Sequence, residues 1–160
     1  MKKIALLVIL TFFLVNFSTY ADFSFSAKYS AKTGDKSFDT TLGNLNAGAK
    51  SDRDNFISDL SLTYGVPKIK IQELMFKVKM APADVYMTIR IADLIRRPID
   101  VVVGEYKANR GKGWGVIAKN LGIKPGSAAF HALKSGASAS LGKVKANGKL
   151  KAKNKGKHKI

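Results

Sequence analysis

The chain has no cysteine and only two histidines in 160 residues. The missing thiols exclude a disulfide scaffold, a thiolate zinc or iron–sulfur site, a cysteine nucleophile and a lipid-modified cysteine anchor. The two histidines, His131 and His158, are 27 positions apart, so an imidazole-rich metal site has no basis and no cofactor is implied. Acids are scarce as well: 11 Asp+Glu stand against 28 Lys+Arg, a formal net charge of +17. The longest largely apolar run, Ile4 to Phe17, falls short of the ~20 residues that a spanning helix needs. Apolar residues themselves are not lacking. At 46% of the chain they are enough to build a core, which excludes wholesale disorder.

The N-terminus reads as an export signal. Met1-Lys2-Lys3 is a basic start, the run to Phe17 is the apolar region, and Thr19 and Ala21 stand at −3 and −1 of a cleavage site before Asp22. The expected mature protein begins at Asp22 and works in the periplasm or outside the cell. Without cysteines it must be held by its core alone. Removing the leader also redistributes the charge. Lys134 to Ile160 carries nine lysines and no acid, whereas 22–133 is only modestly basic.

Along the mature chain, Phe23, Phe25, Ala27 and Tyr29 recur at period two, and Phe38, Thr40 and Leu42 resume it after a Gly34-Asp35 turn. Residues 22–50 therefore predict a small β-hairpin and a connector. From Ser51, a plausible N-cap, the period becomes helical. Phe56, Ile57, Leu60 and Tyr64 form one stripe that Gly65 ends. Pro67, Pro82, Pro98 and Pro125 each stand just before a helix-period segment, where a missing N–H is harmless. Residues 51–135 thus predict about six short helices in a compact orthogonal array, a mainly α fold. Residues 136–160, rich in Ala, Ser, Gly and Lys, predict a disordered basic tail.

The densest motif is Arg110-Gly-Lys-Gly-Trp114-Gly. Gly111, Gly113 and Gly115 with Lys112 suggest a phosphate loop, but a helix precedes them and neither the dinucleotide nor the Walker spacing is met. Glycines that allow a tight turn and close packing under Trp114 explain the motif better. The pair Pro98–Ala108 and Gly113–Leu121 also has helix-turn-helix form. However, Trp114, Ile117, Ala118 and Leu121 occupy one face of its second helix, leaving Lys119 and Asn120 as readers. Phe130 and His131 belong to the same structural motif, and His131 has no partner at ligand spacing. Glu73, Asp93, Asp100 and Glu105 would make an acid–base pair only if the fold joined them; otherwise they are salt-bridge partners of nearby cations.

The stretch from about Asp59 to Lys134 resembles a group of small secreted bacterial proteins. The resemblance is strongest in Met80-Ala-Pro-Ala-Asp84-Val-Tyr86-Met and in Gly111-Lys-Gly-Trp114-Gly-Val-Ile-Ala-Lys119 through Phe130-His131-Ala-Leu-Lys134. The group shares a GKGWGxIAKxLGIKPGSxxFHALK string. The resemblance implies a bacterial, exported helical domain and supplies no activity or catalytic residue.

The expected function is non-enzymatic binding. Arg110, Lys112, Lys119 and Lys124, with Lys143, Lys145, Lys149, Lys151, Lys153, Lys155, Lys157 and Lys159, are the candidate anion-binding residues. Polycations bind polyanions by releasing counterions. In an envelope setting the partners are lipopolysaccharide, lipid headgroups or cell-wall polymer. The alternative is a nucleic-acid binder using the 98–121 helix pair and the tail. No small-molecule substrate is evident from the sequence.

Overall fold

A computed structural model describes residues 29–157. The predicted leader, the alternating residues 23–27 and Lys159 lie outside the described residues. Seven helices and no strand occur among the described residues: α1 Lys36–Ser51, α2 Arg53–Tyr64, α3 Lys68–Phe76, α4 Pro82–Ile95, α5 Ile99–Ala108, α6 Trp114–Asn120 and α7 Ala128–Lys157. The fold is mainly α.

Helix α4 sits in the middle. Every residue from Pro82 to Ala92 except Arg90 is buried, and the helix packs against α1, α2, α3, α5 and α7. A helix enclosed on all sides has no narrow apolar stripe, which is why its periodicity in sequence is poor. Tyr86, at its centre, donates from its hydroxyl to the Leu133 carbonyl of α7 at 2.9 Å. Gly136 makes that approach possible, because a Cβ there would lie 2.6 Å from the Tyr86 hydroxyl.

The predicted β-hairpin over 22–50 is corrected: residues 36–51 are helical. Phe38 and Leu42 satisfy a period of two and also a spacing of i, i+4. Leu45 and Ala49 continue the helical spacing, and all four are buried. Thr40, counted in the alternation, is exposed and donates to the Lys36 carbonyl at 2.9 Å. Asp35 fixes the start of α1 by accepting the Phe38 N–H at 2.9 Å, an N-cap in the position expected of aspartate. The helix also runs through Ser51, so the cap of α2 moves to Asp52, a buried acid at the junction.

The second correction concerns 136–157 of the predicted tail, since 158–160 lie outside the described residues. The segment 136–157 continues α7, a helix of 30 residues, where disorder was expected. Its composition is polar, but Ala137, Leu141 and Val144 recur at i, i+4, i+7 and pack into the core. Val144 sits against Gly48 of α1, where a Cβ would come within 2.5 Å of Cγ1. Beside this stripe, Lys143 donates to Thr63 at 2.9 Å, Asn147 to Asp59 at 3.5 Å and Lys151 to Asp52 at 2.6 Å. Burial against α1 and α2 orders a segment that would not be helical alone.

Two ion pairs tie α7 to the start and end of α1. Lys134 meets Asp35 at 2.6 Å, and Lys151 meets Asp52 at 2.6 Å. The Lys134 bond, and then the Phe38 N–H, hold the Asp35 carboxyl below its ordinary value of 3.8. The Lys151 and Asn55 bonds do the same for Asp52. A carboxyl with a lowered folded pKa contributes stability above the unfolded value, and that contribution is lost as pH falls through the folded value. Urea midpoints are therefore expected to drop as pH is lowered below about 4, the ordinary carboxylate range. The double variant D35N/D52N should start lower at neutral pH and show a shallower acid fall.

Candidate functional site

The short irregular segment 29–33 precedes α1 and meets the N-terminal end of α6. The Trp114 N–H donates to the Ala31 carbonyl at 2.8 Å, and the Gly115 N–H donates to the Lys32 carbonyl at 3.1 Å. These bonds satisfy N–H groups that a helix start would leave unpaired. They require backbone to touch backbone. A Cβ on Gly113 would lie 2.8 Å from the Lys32 carbonyl oxygen, and one on Gly115 would lie 2.7 Å from that of Thr33. Gly113 also has φ +95 and Gly111 φ +97, values that favour glycine. The glycines of the motif thus seat this segment as well as turning α5 into α6.

Below the seat lies Asp84, in the first turn of α4 and 9% exposed. Its Oδ1 accepts the Tyr29 hydroxyl and the Trp114 Nε1–H, each at 2.7 Å. Its Oδ2 accepts the Tyr106 hydroxyl at 3.2 Å and the Ala81 N–H at 3.3 Å. One carboxylate therefore joins the 29–33 segment, α4, α5 and α6. The Tyr106 and Trp114 rings stack with centroids 5.5 Å apart. A cleft of about 260 Å³ opens beside this group; Tyr29, Lys32, Asn46, Asp84, Tyr106, Arg110 and Trp114 are among its walls.

Sequence reasoning missed Asp84, Tyr29, Tyr106, Asn46 and Lys32. The available signal was an acid in the run Ala81–Ile89, which otherwise contains nothing charged. A buried carboxylate must be paired or hydrogen-bonded, so aromatic donors were to be sought elsewhere in the chain.

The predicted residues are placed as follows. Trp114 is buried at the hub, and Gly111, Gly113 and Gly115 form the turn and seat. Phe130 meets Phe38 edge to face at 5.9 Å, while His131 is exposed beside the Phe130 ring. Arg110 is exposed on the rim of the cleft, 5.9 Å above the Tyr106 ring. Lys112, Lys119 and Lys124 are exposed, and none of them lines that cleft. In α7, Lys143, Lys145, Lys149, Lys151 and Lys153 are all exposed; Lys143 bonds to Thr63 and Lys151 to Asp52, whereas Lys145, Lys149 and Lys153 make no such bond among the described residues. Lys155 and Lys157 belong to its final turns.

The carboxylates considered as acid–base groups are dispersed. Glu73 pairs with Lys77 at 2.9 Å, Asp93 with Arg90 at 2.5 Å and Asp100 with Lys70 at 2.8 Å. Glu105 accepts from Asn109 and Asn120, each at 2.6 Å. No two of these residues or His131 line any one of the described clefts. Among the described residues, no group of three or more His, Cys, Asp or Glu could hold a metal, and no helix is long and apolar enough to cross a membrane. In the helix pair, α6 has its first N–H groups engaged by Ala31 and Lys32, and Asn120 is bound to Glu105. The polar surface that a reading helix would offer is correspondingly small.

Replacing Asp84 by alanine removes the acceptor of several buried donors and is expected to cost about 3–5 kcal/mol. Trp114→Phe, which removes one charge-assisted bond, is expected to cost about 1.5–3 kcal/mol. Urea unfolding followed by far-UV circular dichroism measures both. A second expectation concerns alkali. Burial, and next the Asp84 charge, push the Tyr29 hydroxyl well above its ordinary value of 10.0 and Tyr106 up to about 12. Burial also raises Tyr64 and Tyr86. A raised folded pKa contributes stability that is whole below the unfolded value and is lost as pH rises through the folded one. Absorbance titration of the chain from Asp22 should show little tyrosinate at pH about 10, the ordinary midpoint. Ionisation should then accompany unfolding at higher pH.

No family model, curated protein or solved structure matches this chain.

Proposed function

We propose that the chain is an exported, non-enzymatic helical domain that binds anionic polymers or lipid headgroups of a bacterial envelope. The observation that carries this reading is the outer face of α7. Lys145, Lys149 and Lys153 are exposed at successive i, i+4 positions, a spacing of about 6 Å along the helix axis. None of the three has a carboxylate partner among the described residues. The opposite face of the same helix is anchored by Val144, Asn147 and Lys151. A docked helix holds these charges in a fixed row, so association with a polyanion carries little ordering entropy. The export signal and the resemblance to small secreted bacterial proteins put lipopolysaccharide, lipid headgroups and cell-wall polymer within reach.

The test separates the outer lysines from the inner ones. Each lysine near an anionic surface contributes about 1 kcal/mol. The triple variant K145Q/K149Q/K153Q is therefore expected to bind vesicles containing anionic lipid about a hundredfold more weakly at low salt. Lipopolysaccharide should show the same direction of change. K143Q, which removes the bond to Thr63 and no charge of this row, should change retention much less. Undiminished, salt-insensitive binding by the triple variant would overturn the reading. Equal binding of duplex DNA by the unaltered chain would shift it to general polyanion affinity.

A further inference from the structure

We infer that the cleft above Asp84 is a binding site for a small organic anion, of about monosaccharide size, bearing a carboxylate or phosphate group. The site is distinct from the lysine row of α7 and does not rest on it. Its floor is satisfied internally: the four donors that converge on Asp84 leave that carboxylate no unmet demand. Around that occupied carboxylate, the cleft is lined by the side-chain donors of Asn46, Arg110 and Lys32. Asn46 is 3% exposed and its side-chain oxygen accepts the Ala83 N–H at 3.5 Å, while its amide nitrogen has no protein partner among the described residues. Arg110 lies over the Tyr106 ring and makes one long hydrogen bond, to the Lys79 carbonyl at 3.5 Å, and the Lys32 ammonium makes one, to the Gly111 carbonyl at 3.3 Å. Neither cation is paired with a carboxylate among the described residues.

A concave site lined by spare N–H donors and two cations selects a ligand rich in acceptors. A guanidinium is the group that meets carboxylate or phosphate oxygens in a two-point fashion. The volume of about 260 Å³ exceeds what a single water fills and lies just below the ~300 Å³ at which drug-sized sites begin. Backbone contacts hold two of the walls in place. The Arg110 loop is shaped by Gly111 and Gly113, and the Lys32 segment is pinned by its carbonyl bond to Gly115. A preorganised set of donors binds without the cost of ordering them.

The protein carries its own reporter. Trp114 is the only tryptophan in the chain and forms part of the cleft wall. The chain from Asp22 is titrated with glucuronate, with glucose 1-phosphate and with glucose while Trp114 fluorescence is followed, and isothermal calorimetry gives an independent readout. Saturable binding of either anion, with glucose at least tenfold weaker, is the expected result. The two anions distinguish a carboxylate-selective from a phosphate-selective site. R110Q, an exposed change, is expected to weaken binding about tenfold or more, the loss of one charge-assisted contact. R110K should fall between, and unchanged circular dichroism shows that both variants fold. Failure of both anions to bind overturns the assignment, as does equal affinity for glucose or undiminished binding by R110Q. The triple α7 variant should keep this binding, so loss of envelope retention and loss of the pocket are separately visible.

Discussion

A single buried carboxylate organises one end of this domain. Asp84 starts the central helix, and its two oxygens gather a tyrosine from the segment before α1, a tyrosine from α5, the indole of α6 and a backbone N–H. The negative charge is tolerated in an apolar surrounding because every direction from it ends in a donor, and the first turn of a helix favours it further. Remove the charge and the aromatic donors are stranded in a water-poor space. The close backbone seat at Gly113 and Gly115 depends on the same arrangement, since Trp114 both donates to Asp84 and receives Ala31.

Much of the helical order was legible before any coordinates. Gly65, Pro67, Pro82 and Pro98 mark the boundaries of α2 to α5, and Pro125 precedes α7, because each limits the backbone at its own position. The start of α1 was not legible, because Phe38 and Leu42 suit two periods at once. Only Leu45 and Ala49, read together with Asp35 as a cap, decide between them. The helical state of 136–157 was hidden for another reason. Its intrinsic composition opposes order, and the contacts that overcome this lie on distant parts of the chain, as Val144 does on Gly48.

The site was legible in part. The glycines around Trp114 drew attention as a packing motif, and the structure places them where a second stretch of backbone needs the space. Asp84 lay in plain sight within an apolar run, but its meaning depends on Tyr29 and Tyr106, residues that no spacing rule connects to it. Arg110 was named for its charge. Its position above Tyr106, on the rim of a cleft, comes only from the way α5 ends.

Helix α7 has a consequence for the order in which the molecule can be completed. It covers the flank of α1, the first helix among the described residues, through Val144 at Gly48 and through the Lys134–Asp35 and Lys151–Asp52 pairs. A chain that emerges from its N-terminus first therefore holds α1 with an uncovered apolar side until nearly all of it has appeared. The earliest and latest segments meet last. Closure of the core thus waits on α7, and a chain lacking that helix keeps the α1 flank open to water.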